Sequence, residues 1–199
     1  MQLGRFIVRG VVGSLFIGHG TQKLIGSCGG PGLEGTDGMM QALDLRPARR
    51  NSLAAGITET AGGALLIAGL ATPVAAAGLI GTMITAIRKV HLANGPWAAN
   101  GGWEYNAVLI AALTALAEDG PGDLSLDAAT GLERTGAKWA LLSLAAGAAA
   151  STLVIEMGRR APAELTATAS TPGQPTGAGA GGDDGESPFP GTAGDPVTG

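Results

Sequence analysis

The sequence has little charge, few aromatics and a single cysteine. Asp, Glu, Lys and Arg make up 14% of its 199 residues, against roughly a quarter in soluble domains. Mean hydropathy is positive, so the composition favours a membrane protein. Cys28 has no second cysteine to pair with and no CxxC context, which excludes thiol–disulfide chemistry within this chain. No stripe of Lys and Arg interleaved with aromatics is present, which excludes a nucleic-acid partner. The net charge of −4 is also uninformative about a ligand. Residues 161–199 hold five acids (Glu164, Asp183, Asp184, Glu186, Asp195) and no Lys or Arg, leaving the rest of the chain at +1.

What is present is a series of apolar runs. The first, residues 6–25, is flanked by Arg5 and Arg9 and ends with His19 and Lys23. It resembles a secretory signal at its start, but no A-x-A-like site follows and further apolar runs come later, so it reads as a first membrane helix. Residues 26–50 form a loop that opens on GSCGGPG and closes on Arg46, Arg49 and Arg50, with a short surface helix expected at 39–45. Residues 51–70 make a second span carrying Glu59. The turn GLATP follows, because Pro73 lacks an amide donor and starts helices more readily than it continues them. A third span at 74–90 closes this hairpin.

The most polar and aromatic passage lies at 88–105, RKVHLANGPWAANGGWEY, and it holds Trp97, Trp103, the only Tyr and His91. A fourth span, 105–117, is short for a bilayer that needs about 20 residues. Residues 118–138 read as an acidic loop with a weak helical signal, and 139–157 as a fifth apolar run. The fold class is therefore an all-α membrane protein, a bundle of four core spans plus a fifth. It divides into a helical domain at 1–160 and a Gly/Pro-rich acidic tail at 161–199, which has too little apolar surface to order itself. A soluble bundle would need a polar face on each run, and the runs lack one.

Successive spans alternate in direction, so the first loop, the third loop and the tail share one side. That side collects Arg46, Arg49, Arg50, Arg88, Lys89, Arg159 and Arg160, whereas the other holds Arg5, Arg9, Arg134 and Lys138. Counting positive charge favours a cytoplasmic first loop. On the same side lie His19 and Lys23, spaced i,i+4; Arg88 and His91, spaced i,i+3; Glu104; and Glu59, about 12 Å into its span. A four-helix bundle would direct these groups toward one polar chamber.

Glu59 is the most informative of them. A carboxylate in hydrocarbon is paired, protonated or functional, and the plain alternative to function is a structural ion pair with Lys23 or Arg88. His19 and His91 suit a proton relay or a quinone carbonyl; the competing reading is an interfacial histidine favoured by the helix dipole. Two His and two Glu lack HExxH or ExxH spacing, so no metal site is expected. Trp97, Trp103 and Tyr105 read either as an interfacial belt or as a stacking surface for a quinone-like ring.

Together, HGTQK at 19–23, GITETAGG around Glu59, the GLATP turn, KVHLANGPW at 89–97 and GGWEYN at 101–106 resemble the DoxX family of small bacterial membrane proteins, over about residues 3–130. The resemblance implies four core spans in the bacterial cytoplasmic membrane. It also implies an oxidoreductase subunit linked to quinol oxidase or thiosulfate:quinone chemistry, or to an oxidative-stress complex with superoxide dismutase and sulfurtransferase-type partners. By position the family-like residues are His19, Gln22, Lys23, Glu59, Lys89, His91, Asn94, Gly95 and Glu104. Glu59, His91, Glu104 and His19 are the expected proton-handling groups, and Gln22, Lys23, Lys89, Asn94 and Trp97 the expected cofactor-binding ones. A non-enzymatic scaffold, with charges that only fix helix packing, or a small transporter is the rival reading.

Overall fold

In the computed structural model, which describes residues 3–161, helix spacing is set by the residues with the smallest side chains. The elements are α1 (Leu3–Ile25), α2 (Gly32–Ala42), α3 (Ala48–Ala68), α4 (Thr72–Ala86), α5 (Glu104–Asp119), α6 (Leu126–Thr130) and α7 (Ala137–Arg160). All regular structure among the described residues is helical. The buried face of α1 is Arg9, Val12, Gly13, Phe16 and Gly20, a helical stripe. That of α3 is Ala48, Ser52, Gly56, Glu59, Gly62, Gly63 and Leu66. The two stripes meet antiparallel. A Cβ on Gly13 would stand 2.6 Å from the Gly63 carbonyl, and one on Gly20 2.7 Å from that of Gly56, so the backbones touch where only glycine fits.

A second close pair joins α4 to α7. Gly147 of α7 lies against α4, where an added Cβ would be 2.9 Å from the Ala77 carbonyl. Ser143 donates to the Pro73 carbonyl at 2.9 Å and Thr85 to Ser151 at 3.0 Å, so these helices run parallel. Between the two pairs, Phe16, Leu66, Leu79, Ile80, Leu113 and Ala117 form the main apolar core. A smaller one gathers Met40, Leu45, Ala48 and Ile155. Large apolar side chains instead cover the outside, including Ile7, Val11, Val108, Leu141 and Leu153. A bundle that buries glycine and serine while exposing leucine and valine is ordered for a lipid surround.

Helix directions alternate as the sequence implies. The ends of α1 and α4, the start of α5 and the end of α7 define one end of the bundle. The α3–α4 turn and residues 120–136 define the other. Two helical segments, Thr72–Asn94 and Ala137–Arg160, are long and apolar enough to cross a membrane. α1 carries Arg5, Arg9 and Lys23, and α5 is 16 residues long.

The helix expected at 39–45 is an 11-residue helix, α2, that begins at Gly32, and the acidic loop contains α6. In the GLATP turn, Gly69 adopts φ 64° and Pro73 sits in the first turn of α4, as the sequence suggested. A Cβ at Gly69 would also collide with Ser125 and Arg9. The tail at 162–199 lies outside the described residues.

Candidate functional site

The polar groups anticipated for one chamber occupy two places at the same end of the bundle. The first is the α1–α3 contact. Lys23, one turn beyond His19, brings its Nζ to 2.5 Å from Glu59 Oε2, and the Glu59 side chain is only 5% exposed. Burial between glycine-lined helices makes the Lys23 ammonium the partner of this carboxylate. Lys23 Nζ also lies 3.4 Å from the His19 carbonyl. The His19 ring itself is exposed, and Gln22 is half-buried under Gly30.

The second place is the 88–105 passage, which leaves α4 through a π-helical turn, Ile87–His91. Such a turn inserts a residue into the helix and swings its side chains out of register. The passage then folds on itself. Trp103 and Glu104 donate their amides to the Gly95 and Pro96 carbonyls at 3.2 and 2.8 Å. Glu104 Oε1 accepts the Ala98 amide at 2.7 Å. His91 Nδ1 lies 2.7 Å from the Gly101 carbonyl, which also accepts from Asn94 at 3.1 Å. Because a carbonyl only accepts, Nδ1 is the donor in this contact, and Nε2 is the ring nitrogen not engaged by it. Lys89 is half-buried on this turn, and Trp97 is 63% exposed.

No hydrogen bond or ion pair among the described residues joins His91, Asn94 or Glu104 to Lys23 or Glu59. Arg88 donates to Thr152 of α7 at 3.1 Å, so of the two partners considered for Glu59 the ion pair is with Lys23. The described residues bring no three of His, Cys, Asp and Glu together as metal ligands. Cys28 is exposed, in the loop after α1.

Sequence reasoning missed the most densely bonded polar group, at the opposite end. Arg9, 2% exposed, donates to the carbonyls of Leu66 and Ile67 at 2.8 and 2.7 Å and of Pro121 and Leu124 at 2.5 and 3.0 Å. Asp127, 3% exposed, accepts the amides of Ala71 and Thr72 at 2.9 and 3.2 Å. The available signal was an arginine inside an apolar run, which is costly enough in lipid to demand partners. A cavity of about 30 Å³ lies beside Arg9, lined by Phe6, Pro121 and Leu124.

Glycine-lined helix contacts, large apolar side chains on the outer surface and two helical segments long and apolar enough to cross a bilayer point to a helical membrane protein. Residues 4–92 match the family model described as DoxX. Neither the comparison with curated proteins nor that with solved structures gives a match.

Proposed function

We propose that the chain is a multi-pass protein of the bacterial cytoplasmic membrane, with α1, α3, α4 and α5 as four core spans and α7 as a fifth. In this reading it is a redox-linked subunit that handles protons for a quinone or a sulfur species, with a soluble partner supplying the electron chemistry. The observation that carries the reading is the Lys23–Glu59 pair, 2.5 Å apart and buried between two helices packed through glycine. A carboxylate inside a membrane span is rare and costly enough to mark a functional group by default. His91, with Nδ1 engaged and Nε2 outside that contact, is the second proton-handling group. Glu104 positions the loop that carries it, through the Ala98 amide. His19, next to the pair at the bundle end, is a further acceptor.

The quinone would be placed at the π-turn and its loop, where donors and an exposed Trp97 lie together. Lys89, Asn94 and Trp97 would hold it there, and Gln22 and Lys23 would serve the α1 side. The group supplies two-electron chemistry coupled to protons, and the chain supplies the acceptors. The sequence contains no dithiol, haem or flavin motif of its own, which favours a soluble redox partner of the superoxide dismutase or sulfurtransferase type.

The rival is a packing role for the same ion pair, and one experiment separates the two. E59Q and H91A should each lower quinone reduction or oxidant resistance in cells at unchanged membrane abundance. A K23M/E59L double variant replaces the pair with apolar groups, a change that in other buried pairs is neutral or stabilising. It should fold and accumulate normally yet be inactive. Full activity in K23M/E59L at normal abundance leaves the pair a packing element only and overturns the functional reading.

A further inference from the structure

The cations at the polar end of the bundle fall into two groups. Lys23 pairs with Glu59, Arg46 with Asp44 at 3.1 Å and Arg49 with Asp37 at 2.9 Å, while Arg159 and Arg160 share Glu156 at 3.5 and 3.0 Å. Arg50, Arg88 and Lys89 have no carboxylate partner among the described residues. Arg50 is exposed in the first turn of α3, and Lys89 is half-buried on the π-turn.

Arg88 stands elsewhere. It is exposed, yet it lies within Thr72–Asn94, and the group it meets lies within Ala137–Arg160, the two segments of membrane-crossing length and hydropathy. Its guanidinium donates to the Thr152 hydroxyl at 3.1 Å, which uses one of its five N–H groups. Thr152 precedes Arg159 by seven residues, about 10 Å along α7. The exposed neighbours in sequence, Val90, Leu92 and Leu153, are apolar. An uncompensated guanidinium on an apolar surface at that depth is costly and calls for an anion from outside the bundle. Glu156, one turn beyond Thr152, does not serve, because two arginines already hold it.

Thr152 supplies a second donor. The hydroxyls of Thr82 and Thr114 donate back to carbonyls of their own helices. That of Thr152 makes no such bond, so it accepts from Arg88 and keeps its own proton to donate. A planar guanidinium fork beside a hydroxyl matches the oxygens of a phosphate. On the face of α7 that carries Thr152, the preceding turns present the exposed alanines Ala145, Ala148 and Ala149, a shallow strip that leaves room for an acyl chain. Trp97, exposed in the loop that follows Arg88, is of a type that settles at headgroup level.

We propose that Arg88 and Thr152 bind the phosphate of an anionic phospholipid, with its acyl chain on the alanine strip of α7. Basic pockets between spans are a recurrent form of lipid headgroup site. Because Arg88 lies in the π-helical turn Ile87–His91, an occupied site ties that turn to α7 and steadies the loop that carries His91. The site depends on the bilayer and not on the redox reading.

The full-length protein in nanodiscs of phosphatidylcholine, alone or mixed with phosphatidylglycerol, provides the test. Phosphatidylglycerol should raise the melting temperature by about 2–4 °C, slow deuterium exchange at residues 87–95, and remain bound in native mass spectrometry. R88Q should lose about half or more of that shift, together with the retained lipid. T152V removes only a hydroxyl from an exposed position, so it should melt like the wild type in phosphatidylcholine and still show a weaker response to phosphatidylglycerol. R50Q, which removes an unpaired cation away from α7, should respond as the wild type does, and inorganic phosphate added to phosphatidylcholine discs should not reproduce the shift. Wild-type responses in both R88Q and T152V overturn the site. So does an equal loss in R50Q, which means diffuse surface charge, or a full shift from inorganic phosphate, which means a free-anion site.

Discussion

Arg9 and Asp127 close opposite sides of one helical turn. The guanidinium binds the Leu66 and Ile67 carbonyls at the end of α3, and the carboxylate binds the Ala71 and Thr72 amides at the start of α4. A helix leaves its last carbonyls and first amides without internal partners, and its dipole places partial negative charge at the former and positive at the latter. A cation from α1 at the end of α3 and an anion from α6 at the start of α4 therefore satisfy hydrogen bonds and dipoles together. They also draw in residues 120–127, because Arg9 reaches Pro121 and Leu124 and the Asp127 amide donates to Gly69 O at 2.9 Å.

Removing Arg9 takes a donor from four carbonyls, of which only that of Leu66 keeps a second one, the Gly69 amide at 3.1 Å, so R9M should lower stability by about 2–4 kcal/mol. R9K should recover little of this, since an ammonium cannot reproduce a fork aimed at four carbonyls. D127A removes a helix cap and should cost about 1–2 kcal/mol. Thermal unfolding in nanodiscs, followed by circular dichroism, measures all three. An R9K melting curve superimposed on that of the wild type would contradict the assignment.

The α1–α3 contact predicts a contrast within one helix. In G20A the new methyl meets the Thr60 hydroxyl, with Thr60 N at 2.6 Å and Gly56 O at 2.7 Å, and in G63A it meets Gly13 O at 2.5 Å. Backbone atoms stand in the way at both positions, so the helices must part, at a cost of about 1–3 kcal/mol. G10A and G18A, with nothing within 4 Å of the added atom, should change stability by less than about 1 kcal/mol. Because Lys23 and Glu59 bridge the same two helices, G20A should also impair the ion pair, and G18A should not. Equal effects of G18A and G20A on the melting temperature would show that α1 does not meet α3 along this stripe.

Much of this was legible in the sequence, and the reasons for the rest are physical. Alternating helix directions followed from run lengths and turn chemistry, and the GLATP turn from the demands of Gly69 and Pro73. Lys23 and Glu59 were placed at the same end by counting residues along each helix. Their direct contact depends on how Gly20 and Gly56 let the backbones approach, which spacing along one helix cannot encode. The π-turn was invisible because nothing in IRKVH distinguishes it from an α-helical end, yet it redirects His91 toward Gly101. Asp127 looked like one acid among several in a loop. Its role depends on Arg9 and on a helix start more than 50 residues away in sequence.

The same end-capping settles how to weigh the N-terminal arginines in the membrane orientation. Counted as loop charges, Arg5 and Arg9 oppose the cytoplasmic placement favoured by Arg46, Arg49, Arg50, Arg88, Lys89, Arg159 and Arg160. Arg9 is instead a buried cap, and Arg5 donates to the Asp119 and Gly120 carbonyls at the end of α5. Of the remaining cations at that end, Arg134 and Lys138 lie over the Trp139 ring, 5.1 and 5.9 Å from its centroid. Positive-inside counting applies to charges in loops rather than to those used inside the bundle, which supports the orientation expected from the sequence, with the first loop and the Lys23–Glu59 pair on the cytoplasmic side. Cys28 is the only thiol and is exposed in that loop. A membrane-impermeant maleimide should therefore label it only after permeabilisation, with a bilayer-permeant maleimide as the positive control. Labelling of intact cells would invert the orientation and place the polar end outside.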